Sequence, residues 1–203
     1  DGGLTYADKQ SQFFTYEPLP LAGHHQVLNA GLAIAMLRHQ EAVPITEDAI
    51  RKGLANARWP ARMQRLSSGP LVKALPESSE VWLDGGHNPD AGAALSKVLA
   101  SSDKLHVICG LLKNKDAIGF VGPFADKIAT FQAVPIPGHE HHDPKDLCMW
   151  VQKDLGVIDA RPSYSVADSL HQLAQARTPV SVLICGSLYL AGEVLRLNDE
   201  LPT

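Results

Sequence analysis

The chain has 203 residues, 45% of them hydrophobic and 20% charged, enough to bury a real core as one full domain plus part of another. Its 18 Lys and Arg against 22 Asp and Glu leave a net charge of −4 with no basic stripe, which argues against a nucleic-acid partner. No stretch approaches the roughly 20 apolar residues of a membrane helix, and no basic-then-apolar leader opens the sequence.

The chain begins Asp-Gly-Gly without an initiator Met, so it reads as a piece of something longer. Residues 12–16, QFFTY, are short and aromatic between polar flanks, as in a strand or hairpin arm. From His25 to Gln40 the Ala- and Leu-rich run predicts a helix. Val27, Gly31 and Ile34 beside Leu28, Leu32 and Ala35 make two adjoining stripes, so this helix is expected to be mostly buried. Thr46, followed by Glu47 and Asp48, caps a second helix that ends near Arg58.

After about residue 66 the rhythm changes. Apolar runs at 81–84, 105–110, 127–134 and 180–186, with a weaker one at 161–166, alternate with helical stretches at 88–100, 116–125, 144–154, 167–176 and 187–197. Near-continuous apolar strands between helices predict an α/β domain, a mostly parallel sheet with helices on both faces. Such sheets bind ligands outside the carboxyl ends of their strands. Cys109 and Cys185 close two of the apolar runs, where a reduced cysteine acts as a small hydrophobe. With Cys148 they make an odd count without metal-like spacing, and a reducing cytoplasm is the expected location.

Five places carry candidate chemistry. In LDGGHNPDA, Asn88 can cap a helix and Pro89 suits its first position. Gly85 and Gly86 allow unusual dihedrals and a close ligand approach. Asp84 can take hydrogen bonds from two vicinal hydroxyls, and His87 can orient a carboxylate or phosphate; a helix cap with an incidental acid fits equally well. In GHHQVLNA, His25 and Asn29 share a helix face, and an amide can pair with a nucleobase edge or simply satisfy local contacts. In WPARMQRL, Arg62 and Arg65 are either phosphate clamps or a solvated surface. Ser187 in GSLYL either offers a hydroxyl to an anion or caps its helix. The histidines of PGHEHHDP read as a loop before a helix starting at Asp143–Pro144 rather than as a metal site, and Lys113 and Lys115 as an exposed turn.

Weak singly, these motifs come in a specific order. G-x-H-Q-x-x-N-A, W-P-x-R, D-G-x-H-N-P, a K-D turn after the next strand and a closing G-S-L-Y-L together resemble the folylpolyglutamate synthase/dihydrofolate synthase family, ATP-dependent ligases related to the Mur ligases. The resemblance runs from about Leu19 to Leu197. It implies that residues 1–65 are the tail of an N-terminal ATPase domain and 66–203 a Rossmann-like C-terminal domain that closes over nucleotide and incoming L-glutamate. It also implies that ATP phosphorylates a dihydropteroate or reduced-folate carboxylate and that the glutamate amine attacks the acyl phosphate. By the family pattern Asn29 meets adenine, Arg62 the phosphates and Asp84 the ribose hydroxyls, while His87 and Ser187 serve the glutamate, His87 catalytically. Mg²⁺ and its ligands are expected in the N-terminal part, with none in this chain.

Two positions depart from the pattern: Ala61 stands where the family usually has Gly, and Asn114 where it often has Asp. The sequence holds no G-x-x-x-x-G-K-S/T phosphate cradle, so ligation by this chain alone is not expected. A Mur-type ligase acting on a peptidoglycan precursor, or a non-catalytic nucleotide- or amino-acid-binding module on the same sheet, would share much of the pattern.

Overall fold

The helices begin where the capping residues stand. In the computed structural model, which describes residues 3–8, 13–21, 23–100 and 104–200, Thr46 accepts the Ala49 N–H and Asn88 the Ala91 N–H. Asp143 likewise accepts from Lys145 N–H and Ser187 from Tyr189 N–H. Each bond satisfies a donor that the first turn leaves without a partner.

The chain divides into two units, Asp1–Trp59 and Pro60–Thr203. The division falls a few residues before the expected position at 65, because Gln64–Leu66 is a strand of the second unit's sheet.

In the first unit β1 (Leu4–Ala7) pairs antiparallel with β2 (Phe13–Tyr16). The strand expected at 12–16 is thus present from Phe13, and Gln12 lies outside the described residues. Two helices follow, α1 (His24–His39) and α2 (Glu47–Ala55). The second ends three residues early, where the Asn56 side-chain amide donates to the Lys52 carbonyl. Leu4, Tyr16, Ala30, Ile34 and Ile50 make the core, and Arg38, held by Glu47 at 3.0 Å, lies over the Phe14 ring.

The expectation of a mostly buried α1 is not met. Gln26, Ala30 and Ile34 form its buried line, whereas Leu28 and Leu32 are each 63% exposed. A helix with apolar residues all round names no single face, and within this unit the core covers only the 30/34 side.

The second unit is built on a six-stranded sheet of β3 (Gln64–Leu66), β4 (Glu80–Leu83), β5 (Leu105–Cys109), β6 (Ile128–Ala133), β7 (Ala160–Pro162) and β8 (Ser181–Cys185). Their order is β3-β4-β8-β5-β6-β7, parallel except for β3 at one edge. The parallel sheet of the α/β expectation is therefore present, with β8 between β4 and β5. Helices α3 (Pro70–Lys73), α4 (Pro89–Val98), α5 (Ala117–Val121), α6 (Pro144–Leu155), α7 (Val166–Ala174) and α8 (Leu188–Leu197) complete it. The helix expected at 116–125 breaks into α5 and a 3₁₀ segment at Gly122–Lys127, since Pro123 lacks the N–H to continue.

Both sheet faces are covered. Along β8, Val182 and Ile184 point into a core with Val166, Leu170, Leu190 and Val194 of α7 and α8. Leu183 and Cys185 point to the other, with Leu95, Phe120 and Val151 of α4, α5 and α6. Each fully buried aliphatic side chain stabilises the fold by about 1.5–3 kcal/mol. All three cysteines are buried and free. Among the described residues no helix is long and apolar enough to cross a membrane.

Candidate functional site

The parallel strands end together on one edge of the sheet, and the turns that follow them interlock. Asp84 N–H continues the β4 ladder to the Ile184 carbonyl at 2.9 Å, and Gly110 N–H continues β5 to Cys185 at 3.2 Å. Gly186 adopts φ 108°, and a Cβ there would strike the Gly110 carbonyl, so only glycine permits this turn between β8 and α8.

Asp84 is buried at 7% exposure and holds two backbone donors, Gly86 N–H on one oxygen at 2.7 Å and Met63 N–H on the other at 2.9 Å. The acid therefore ties the segment before β3 to the end of β4. That segment is further held by Gln64 Oε1 accepting the Ala61 N–H and by Gly85 N–H donating to the Ala61 carbonyl. Ala61 and Met63 sit at φ 57° and 45°, the left-handed region that favours glycine. Ala61 thus occupies a position where glycine would be the unstrained choice. Arg62, between them, is half-buried and has no ion-pair partner among the described residues. Arg65, in contrast, pairs with Glu80 at 2.7 Å and leans over Trp82 as part of the β3–β4 edge.

The two glycines after Asp84 have a different cause from the one expected. Neither shows a positive φ. A Cβ on Gly85 would collide with Leu188, and one on Gly86 with Asp84 and Ala91. The space beside each glycine is taken by the chain's own side chains. Next to them the half-buried His87 ring meets the Gly85 carbonyl through Nδ1 at 3.2 Å. A carbonyl only accepts, so Nδ1 is the donor, and in the neutral ring Nε2 is then the acceptor.

Ser187 is 2% exposed, and its hydroxyl oxygen takes the Tyr189 N–H at 3.1 Å. The cap reading of this serine holds, and its O–H proton is not spent by that bond. Asp84, His87, Arg62 and Ser187 all belong to this strand-end region of the second unit. Asn29 lies on α1 of the first unit, exposed, its amide donating to Gln26 Oε1 at 3.3 Å, and Gln26 in turn meets His25.

The histidine loop is less loose than its sequence suggests. Lys113 N–H donates to the Glu140 carbonyl and His142 N–H to Leu111, while His142 Nε2 meets the Lys115 carbonyl at 2.8 Å. His139 stacks on Tyr189 with centroids 3.7 Å apart. Sequence reasoning missed this pair, β3, and the Met63–Asp84 bond, none of which has a local signature. No group of three or more His, Cys, Asp or Glu among the described residues could hold a metal ion.

A protein-family model for the C-terminal domain of dihydrofolate synthetase matches residues 71–197. The folylpolyglutamate synthase of Lacticaseibacillus casei is 30% identical over 196 residues, which are 94% of this chain and 42% of that protein. The solved structure of Mycobacterium tuberculosis folylpolyglutamate synthase complexed with ADP and AMPPCP has a TM-score of 0.77 at 25% identity, covering 93% of this chain and 44% of that one. A bifunctional folylpolyglutamate synthase/dihydrofolate synthase with Mn, AMPPNP and L-glutamate bound has a TM-score of 0.70 at 26% identity, covering 90% and 42%. The chain spans less than half the length of these relatives.

Proposed function

Because the chain belongs to the dihydrofolate synthetase family, through its C-terminal domain, we propose that the full-length protein is an ATP-dependent ligase joining L-glutamate to dihydropteroate, to a reduced folate, or to both. The observation that carries this is the family match over 71–197, which includes the Asp84–Pro89 turn and the Gly186–Leu190 turn.

In this reading a pteroate or folate carboxylate oxygen attacks the γ-phosphorus of ATP, and the bond to the leaving ADP breaks. The glutamate amine then attacks the acyl carbon, phosphate departs with its C–O electron pair, and the nitrogen gives up a proton. The first unit, Asp1–Trp59, is assigned to the tail of the ATPase domain and the second, Pro60–Thr203, to the Rossmann-like glutamate-ligase domain. Arg62, with no ion-pair partner among the described residues, is assigned to phosphate, and Asn29 to adenine. Asp84 is assigned to the ribose hydroxyls. Its two oxygens accept the Gly86 and Met63 N–H groups, which fixes the carboxylate at the end of β4. His87 offers Nε2 to the amine proton because Nδ1 is tied to Gly85. Ser187 gives its O–H to a glutamate carboxylate. Mg²⁺ neutralises phosphate charge in such chemistry, and no residue of this chain is assigned to it. A reducing cytoplasm suits the three free cysteines.

The test is turnover of the full-length protein with ATP, Mg²⁺, glutamate and either dihydropteroate or tetrahydrofolate, beside Asp84→Asn. Glutamate-dependent ADP release is expected, with kcat/KM for ATP falling roughly ten- to a hundredfold in the variant, the worth of a hydrogen bond to a charged group. Because an asparagine amide cannot accept from both Gly86 and Met63, rates are read well below the variant's own melting temperature, which separates this loss from unfolding. Absence of glutamate-dependent ADP release with both acceptors would overturn the reading.

A further inference from the structure

The exposed stack of His139 on Tyr189 has no part in either core. The rings lie 24° from parallel with centroids 3.7 Å apart, yet Tyr189 keeps 54% of its surface in water. Over half of the tyrosine is thus open to water while its ring faces the imidazole. We propose that His139 is a positioning residue for Ser187, acting through Tyr189. This rests on the assignment of Ser187 to the incoming glutamate.

Three links carry it. The loop that bears His139 is held on both sides: His139 N–H donates to the Ile136 carbonyl at 3.2 Å, and its own carbonyl meets His141 Nδ1 at 2.7 Å. Glu140 and His142 are bonded to the segment after β5, through Lys113 N–H at 3.2 Å and the Leu111 carbonyl at 2.9 Å. The imidazole is thus presented from a fixed frame. Next, Tyr189 N–H is the donor that the Ser187 hydroxyl oxygen accepts at 3.1 Å, so the orientation of the first turn of α8 and that of the hydroxyl are set together. Finally, Gly186 at φ 108° packs on Gly110, which leaves Ser187 little room to re-aim once Tyr189 is placed. On the solvent side the Tyr189 ring faces His139. Lining up two rings in this way needs an aromatic at position 139 rather than a charge.

The full-length enzyme tests it with His139→Ala, His139→Phe, Tyr189→Ala and the double alanine variant. His139→Ala is expected to raise the KM for glutamate roughly three- to tenfold, the worth of one aromatic pair. The KM for ATP should hold, and the melting temperature should fall by no more than the few degrees that one ring pair supplies. His139→Phe should restore the wild-type glutamate KM, and the double variant should be no worse than Tyr189→Ala alone. An unchanged glutamate KM in His139→Ala, a phenylalanine variant as impaired as alanine, or additive losses in the double variant would each overturn the proposal. Wild-type enzyme without glutamate-dependent ADP release would instead remove the parent reading, and this proposal with it.

Discussion

Asp84 shows how one side chain carries two demands. Its oxygens accept backbone N–H groups from Gly86 and from Met63, 21 positions earlier, so the carboxylate is a structural tie whatever else it binds. An acid at a strand end was legible as a candidate, but its partner at Met63 was not, because nothing local links the two segments. Ala61 shows the reverse. The family resemblance leads one to expect glycine there, and a φ of 57° is a physical reason for one, while Ala61 is 2% exposed in the core. Left-handed strain of about 1–2 kcal/mol is thereby partly offset by burial. His106 supplies a pH prediction. Burial lowers its pKa from 6.5, with Asp159 acting in the opposite sense, and its Nδ1 meets Thr130 Oγ1 at 2.8 Å. The unfolded chain takes the proton first on acidification, so this contribution is complete above about pH 6.5 and is lost as pH falls through the window below it. Urea unfolding between pH 7.5 and 5.5 should therefore show the gap between wild type and His106→Gln shrinking with acidity; a gap that is constant or widening would contradict this.

At the scale of elements, the caps and the strand–helix alternation placed every major helix and strand of the second unit within a few residues. Two elements of that unit escaped, β3 and the four-residue α3. β3 is three residues long, too short for a period to show, and exists because Arg65 pairs across to Trp82. The exposed stripe of α1 was misjudged because an Ala- and Leu-rich helix is apolar in every direction. Helix contacts also reverse a propensity rule. Gly192 of α8 has nothing within 4 Å of a built Cβ, whereas on Gly92 of α4 that atom would land against the Phe120 carbonyl. Gly192→Ala should raise stability by about 0.5–1 kcal/mol through propensity, and Gly92→Ala should lower it by about 1–3 kcal/mol through overpacking. Urea midpoints of the two variants check this, and midpoints moving in the same direction would refute it.

Across the whole molecule the second unit's interior holds every cysteine of the chain. Cys109, Cys148 and Cys185 are 0%, 4% and 1% exposed. Burial pushes the Cys148 thiol up to about 11, and a hydrogen bond with Cys109 followed by burial raises Cys185. The thiolate is the nucleophile, so the folded protein should resist iodoacetamide at pH 8 while urea-unfolded chains take up three equivalents. Mass spectrometry should show unlabelled and triply labelled species, because the three sites share one core. Rapid uptake of a single label by the native protein would mean that a thiol is accessible without unfolding.

By itself the sequence determined the alternation that makes a parallel sheet, the residues that start its helices, and the ordered motifs that place the chain in its family. These are short-range properties, read from propensity, capping and spacing. Only the tertiary structure decided that Asp84 holds Met63, that Gly85 and Gly86 are set by their own neighbours, that α1 buries its 26/30/34 line, and that His139 faces Tyr189. Each of these depends on which distant surfaces meet, and a contact between residues far apart in the chain leaves no mark on the neighbours of either one.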